Sequence, residues 1–347
     1  MNNLLDYSYE ELEILVQELG EKKFRARQLY TALQNYKKPE QISNLSKVFL
    51  EKLNKDYCFC PLEIYKKIQS KDGTIKYLYK LSDGNLIEGV LMSYKYGNTI
   101  CVSTQVGCRM GCKFCASTLG GLVRNLTSGE ILAQVLCVNK DLGGTFNDRK
   151  ITNIVLMGSG EPLDNYDNVV KFFKLVSHEN GINISQRNIS LSTCGLVDKI
   201  YALAEENLQI TLTISLHAPD DESRKQTMPI ANRYTIKQLI DSVKHYFNKT
   251  KRRIVFEYAL INGVNDTFEY ADKLSKLLKG LSCHVNLIPL NEVKERGLVG
   301  TSRKRAYAFM DRLNANNISA TVRRTMGEDI EGACGQLRAK TLKNNNL

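Results

Sequence analysis

The feature that most constrains this chain is an alternation that begins near residue 98. Strand-like runs TICVST, NIVLMG, NISLST, ITLTISLHA, RIVFEYALI and HVNLIPL are each followed by a helix-like run. Those helical runs are SGEILAQVLCVNKDL, NYDNVVKFFKLVSHEN, LVDKIYALAEEN, TIKQLIDSVKHYFNKT, TFEYADKLSKLLKG and SRKRAYAFMDRLNANN. Six β-then-α units in succession call for a parallel sheet covered by helices. Eight units close a barrel and six leave it open. The expected fold is therefore α/β, a partial (β/α)6 barrel. In such folds the chemistry gathers at the C-terminal ends of the strands.

The chain before the alternation reads differently. In SYEELEILVQELG the apolar residues Leu12, Ile14, Leu15 and Leu19 keep a helical period, and Gly20 stops it. Next, EKKFRARQLYTALQNYKK carries Lys22, Lys23, Arg25 and Arg27 with Phe24 and Tyr30 interleaved. That pattern fits RNA contact, and it equally fits an amphipathic helix with a solvated charged face. From about residue 61 the period falls to two. GTIKYLYKLSDGNLIEGVLMSY holds two alternating runs joined by Asp83-Gly84, a hairpin turn signal. The expected organisation is a helical, basic accessory unit over 1–60, a β-hairpin extension over 61–94 and an α/β core over 95–347. Cys58 and Cys60, at the first boundary, read as incidental or buried thiols.

No apolar run approaches the roughly 18 residues of a membrane span. The acidic, polar start lacks the features of a signal peptide, so a cytoplasmic protein with no membrane partner is expected. In that compartment ten cysteines argue against a disulfide scaffold. They leave metal binding, redox chemistry and burial. The net charge of +11 suits a polyanionic partner such as nucleic acid, or serves solubility alone.

Three of the ten cysteines crowd into CRMGCKFC, directly after the first strand. Zinc sites usually show two cysteine or histidine pairs. The spacing Cys108-x3-Cys112-x2-Cys115 has no nearby fourth partner. Three thiolates suit an iron–sulfur cluster with one iron left open for a small molecule. The second strand ends in GSGEP, with Gly160 and Glu161. Glycine there permits close backbone approach, and Glu161 can meet a cation. Period two puts Ser190 and Ser192 on one face of the third strand. It puts Thr211, Thr213, Ser215 and His217 on one face of the fourth. Such a stripe on a buried strand needs partners, either a polar ligand or satisfied core hydroxyls. The last strand ends at Asn291. Near the C-terminus Cys334 sits among small residues, Gly332-Ala333 and Gly335. Cys137, Cys194 and Cys283 read as packing.

The cysteine spacing, with Phe114 just before the last thiol, resembles the signature of the radical S-adenosylmethionine (SAM) superfamily. Cys101, the cysteine loop, GSGEP, SLHAP and ACGQL together resemble the RlmN-type RNA methyltransferases of the RlmN/Cfr family. The resemblance implies a radical SAM core with one [4Fe-4S] cluster on Cys108, Cys112 and Cys115. It implies SAM contacts from Gly160, Glu161, Ser192, Ser215, Leu216, His217 and Asn291. The substrates it implies are 23S rRNA and tRNA, modified at carbon 2 of an adenosine. An electron donor such as flavodoxin or ferredoxin and a monomeric chain complete the expectation.

The resemblance also implies two SAM molecules per turnover. One methylates Cys334; the other yields the radical that activates the resulting S-methyl group for addition to the base. Carbon 2 of adenine is electron-poor and the SAM methyl is an electrophile, so simple displacement cannot join them. Glu88 is then the proton acceptor. Cys101 resolves the protein–RNA crosslink through a transient disulfide with Cys334. STLGGL and LIEGVLM look closer to the carbon 2 enzymes than to the Cfr-type carbon 8 enzymes. A non-catalytic iron–sulfur RNA-binding protein and a zinc-dependent RNA binder are the readings outside this class.

Overall fold

The structure is a computed structural model that describes residues 2–337. Ten strands form one mixed, open sheet in which every strand pairs with its neighbour in sequence. Three antiparallel strands come first: β1 (Leu62–Gln69), β2 (Ile75–Leu81) and β3 (Leu86–Tyr94). Seven parallel strands follow: β4 (Gly97–Cys101), β5 (Ile151–Leu156), β6 (Ile189–Thr193), β7 (Thr211–Ser215), β8 (Ile254–Leu260), β9 (Cys283–Pro289) and β10 (Ala320–Val322).

Each of the six helical runs of the alternation is a helix, and a short helix over 221–227 is additional. After α1 (Tyr9–Glu18), α2 (Phe24–Gln34) and α3 (Lys47–Asp56), the crossovers carry α4 (Ser128–Asp141), α5 (Tyr166–Val176) and α6 (Val197–Glu205). Then come α7 (Asp221–Thr227), α8 (Ile236–Thr250), α9 (Phe268–Leu278) and α10 (Arg303–Ala315). The six β–α units are present, and β10 adds a seventh parallel strand. The sheet does not close: β1 and β10 are its free edges among the described residues.

The expected hairpin is β2–β3, turning at Asp83-Gly84, and β1 extends it to three strands. It is no separate layer. β3 pairs antiparallel with β4, with Val90 opposite Cys101, so the extension continues the core sheet. The N-terminal helices share the main core as well: Leu12, Leu29, Leu33 and Phe49 belong to the same buried cluster as Ile154, Leu212 and Phe256. Asp6 explains part of this docking. Its carboxylate accepts from Ser128 Oγ and Gly129 N at the start of α4. A Cβ on Gly129 would lie 2.4 Å from Asn3 Nδ2, so glycine lets the N-terminus approach. Ile14, expected in the core, is exposed, and Val16 is buried in α1 instead. Of the basic segment, Lys22, Lys23, Phe24 and Arg27 are exposed, while Tyr30 is buried. The expected core boundary at 347 runs past the described residues, since 338–347 lie outside them. Among the described residues no helix is long and apolar enough to cross a membrane.

Candidate active site

The cysteine loop leaves the C-terminal end of β4. A short ribbon, Gln105–Gly107 against Leu122–Asn125, closes its base. Gly107 adopts φ +76°, and a Cβ there would lie 2.0 Å from the Gly121 carbonyl oxygen, so only glycine lets the two sides meet. The loop is then held by Cys108 N to Gly121 O at 2.9 Å and Lys113 N to Thr227 O at 2.9 Å. Cys108, Cys112 and Cys115 line one cavity. Burial pushes the Cys108 thiol up to about 12 and raises Cys112 and Cys115 too. Among the described residues no three His, Cys, Asp or Glu side chains converge as ligands of a single ion. Three thiols in the wall of one cavity could each take one iron of a multi-iron cluster.

GSGEP follows β5 and packs beneath the loop. Thr104 N donates to Ser159 O at 2.9 Å, and Gly158 N to Val102 O at 3.1 Å. A Cβ on Gly158 would lie 2.6 Å from Val102 O, and one on Gly160 2.7 Å from Gln105 Cβ. These glycines therefore serve close approach to the chain after β4. The Glu161 carboxylate is buried and accepts from Leu163 N at 3.0 Å and Cys194 N at 2.8 Å. Burial raises its pKa, against those amide bonds.

The polar stripe of β7 divides along its length. Thr211, at the far end, accepts from Arg252 Nη2 at 3.1 Å, a satisfied hydroxyl remote from the cavity. Ser215 and His217 reach the cavity wall, as does Ser192 from β6. Ser192 Oγ lies 3.3 Å from Ser215 Oγ and donates to Glu257 Oε2 at 3.2 Å. His217 holds a left-handed backbone, φ +58°. Its Nδ1 accepts from Ala259 N at 2.9 Å, which assigns the ring proton to Nε2. Its ring meets Phe114 edge-to-face at 4.8 Å.

Burial pushes the His217 pKa down to about 3. The unfolded imidazole takes up its proton near 6.5. Between those values the unfolded chain binds more protons, so stability falls as pH drops from 6.5 toward 3. His217→Asn keeps an acceptor near the Nδ1 position and tolerates the left-handed backbone. It should flatten this part of the stability–pH curve, measured by urea denaturation of the cluster-free chain. An unchanged slope would count against the neutral, buried imidazole.

Cys334 rides on the loop after β10. That loop is pinned to the cysteine loop by Ala116 N to Gly335 O at 2.7 Å and Ser117 Oγ to Leu337 O at 2.8 Å. On its other side it meets the β1–β2 turn, through Gly327 N to Asp72 Oδ2 at 2.9 Å and Lys71 N to Asp329 Oδ2 at 3.2 Å. Asn291 Nδ2 donates to Cys334 O at 3.1 Å. Cys334, Asn291, Met157 and Ile288 stand in the walls of two adjoining cavities. One holds the three loop cysteines, and the other holds Cys101.

Two expected residues lie elsewhere. Leu216 points into the hydrophobic core, and its carbonyl is taken by Arg224 Nε at 3.1 Å. Glu88 lines neither cavity. It is buried on β3 and ion-paired to Lys76 Nζ at 3.5 Å. By period two it shares a face with the cavity-lining Val90, Met92 and Tyr94.

Four residues were not singled out as functional from the sequence. Glu257, buried on β8, joins Ser192 to Arg323, whose Nη1 donates to Glu257 Oε1 at 3.2 Å. A carboxylate inside a strand buried on both faces was the available signal. Cys334 and Glu257 keep Arg323 charged, while burial pushes the Cys334 thiol up against the pull of Arg323. Cys194, read as packing within a regular element, instead follows β6 in the cavity wall. Arg224, inside the charged run DDESRKQT, is fully buried, and its Nη1 lacks a hydrogen-bond partner. Burial lowers its pKa, and the nearby Cys194 and Cys112 only oppose that shift. An anionic cluster on Cys112 would satisfy that nitrogen, so these residues fit a cluster at the cysteine loop and SAM in the polar cavity beside it.

A cysteine loop at the C-terminal end of a parallel sheet, over a polar cavity, defines a class. Residues 102–275 match the model of the Radical SAM superfamily. Residues 2–59 match that of the ribosomal RNA large subunit methyltransferase N-terminal domain. A protein of Clostridium novyi named probable dual-specificity RNA methyltransferase RlmN is 52% identical, covering 99% of this chain and all of that protein. Its namesake from Clostridium perfringens is 54% identical over 100% of this chain and 99% of its own length. The crystal structure of a radical SAM methyltransferase from Sphaerobacter thermophilus superposes with a TM-score of 0.94 at 42% identity, covering 97% of this chain and 99% of that one. The chain belongs to the RlmN family of radical SAM methyltransferases.

Proposed function

We propose that this enzyme methylates carbon 2 of an adenosine in 23S rRNA and of the adenosine beside the anticodon in certain tRNAs, in the cytoplasm. The observation that carries the reading is the position of Cys334, in the wall of the three-cysteine cavity and of the one holding Cys101. Cys108, Cys112 and Cys115 hold one [4Fe-4S] cluster. Gly160, Glu161, Ser192, Ser215, His217 and Asn291 surround SAM, and Leu216 serves through the chain it shares with Ser215 and His217, its own side chain lying in the core. Bound together, cluster and SAM supply the one-electron chemistry that opens the reaction. A flavodoxin or ferredoxin supplies the electron.

The chain's own residues do the rest. Cys334 carries the methyl group and joins it to the base. Glu88 accepts the proton displaced from the adenine carbon, and reaches it from the strand face that lines the Cys101 cavity. Cys101 then displaces the bond to Cys334 as a disulfide. The exposed Lys22, Lys23, Phe24 and Arg27 of the 1–60 unit contact the RNA backbone. The 61–94 extension supports the Cys334 loop through its β1–β2 turn.

The test is digestion of RNA methylated by the purified enzyme, with the modified nucleoside identified. Methyl on carbon 2 of adenosine is expected. Methyl on carbon 8 would place the enzyme with the Cfr type, and RNA left unmodified despite deoxyadenosine formation would overturn the reading.

A further inference from the structure

We propose that Tyr94 and Tyr96 form a stacking platform for an unpaired RNA base next to the modified nucleotide. The inference rests on the RNA methyltransferase reading above. Tyr94 ends β3, and Tyr96 stands in the turn to β4. Their rings lie 4.9 Å apart and within 6° of parallel. Tyr94 is half-buried in the wall of the cavity that holds Cys101 and Cys334. Tyr96 is 69% exposed, the outer member of the pair. The stack therefore runs from the reacting thiols outward to solvent, leaving ring surface of Tyr96 open.

The platform is fixed before any ligand arrives. Tyr94 OH donates to Met92 Sδ at 3.5 Å. Gly97 turns the chain at φ +126°, where a Cβ would lie 2.3 Å from Thr152 Oγ1. A preset aromatic surface loses little freedom when a flat ligand lands on it.

The chemistry explains what should land there. Cys334 is recessed, so the target adenine must leave its own stack to reach it. Its neighbour then loses a stacking partner, and an exposed aromatic ring replaces that partner with little regard to sequence. Exposed Lys95 lies between the two tyrosines in sequence, and exposed Arg324 lines the same cavity as Tyr94. Their charge matches the phosphates on either side of a splayed nucleotide.

The chain contains no tryptophan, so Tyr96→Trp creates a single fluorescent reporter in the full-length protein. It is titrated with a hairpin RNA whose loop presents an unpaired adenosine, and with a fully paired duplex of the same composition. Quenching by the hairpin and not by the duplex is expected. Tyr96→Ala should raise KM for the hairpin by about tenfold, the scale of one lost base–aromatic stack. Tyr96→Phe, which keeps the ring, should retain the wild-type KM. Absence of quenching, equal quenching by duplex, or an unchanged KM in Tyr96→Ala would each overturn the platform. Quenching is read without SAM, reductant or turnover. Failed methyl transfer with quenching intact strikes the enzymatic reading and leaves the platform standing.

Discussion

Replacing Cys334 with alanine should abolish methyl transfer to RNA and leave the iron content of the protein unchanged. The two effects separate because the cluster thiols and Cys334 sit on different segments, joined only where their loops meet. Around Cys334 the loop is held by its backbone oxygens: Gly335 O to Ala116 N, Leu337 O to Ser117 Oγ, and Cys334 O to Asn291 Nδ2. Alanine keeps them all and removes only the sulfur. On the proposed role the loss is therefore chemical, since the sulfur that would carry the methyl group is gone. Iron per chain and deoxyadenosine release report the cluster, and labelled methyl in RNA reports transfer. Methylated RNA at wild-type yield would remove Cys334 from the reaction.

Cys101→Ala should stop the reaction one step later, with RNA covalently attached to Cys334. Cys101 ends β4 and packs with Val90, Met92, Met326 and Leu337 in the wall shared with Cys334. In the resolving step proposed above, its sulfur attacks the Cys334 sulfur. The sulfur–carbon bond breaks, its electron pair passes to the carbon, and a proton completes the methyl group. Without the Cys101 sulfur that pair has no route away from Cys334. Burial pushes the Cys101 thiol up to about 12, with the nearby Cys334 adding to the shift. Only the thiolate attacks, so wild-type resolution should quicken as pH rises through the mildly alkaline range. A shifted RNA–protein band in Cys101→Ala, absent from Cys101→Ala/Cys334→Ala, is the expected result. Free methylated RNA from the single variant at wild-type yield would sink the role.

The α/β core was legible because parallel strands buried on both faces write continuous apolar runs, and the turns between them are short. β10 was not, since its three residues are too few to show a period. The cluster thiols were legible from spacing alone. Cys101 and Cys334 were legible only through family resemblance, because 232 intervening residues separate them and no local pattern links them. Glu257 shows the opposite case. It stands in RIVFEYALI as a charge where a doubly buried strand should have none, the same argument that singled out Ser215 and His217. Arg224 and Arg323 left no such trace, since each sits beside other charges that suit a surface.

The position of Cys334 also sets an order in time. Chains emerge from the ribosome N-terminus first, so the loop cysteines, GSGEP and the polar ends of β6 to β9 exist before the segment that closes over them. Cys334 follows all of them in the chain. The contacts at residues 116–117 and 70–72 thus seat the Cys334 loop on segments of the chain made well before it.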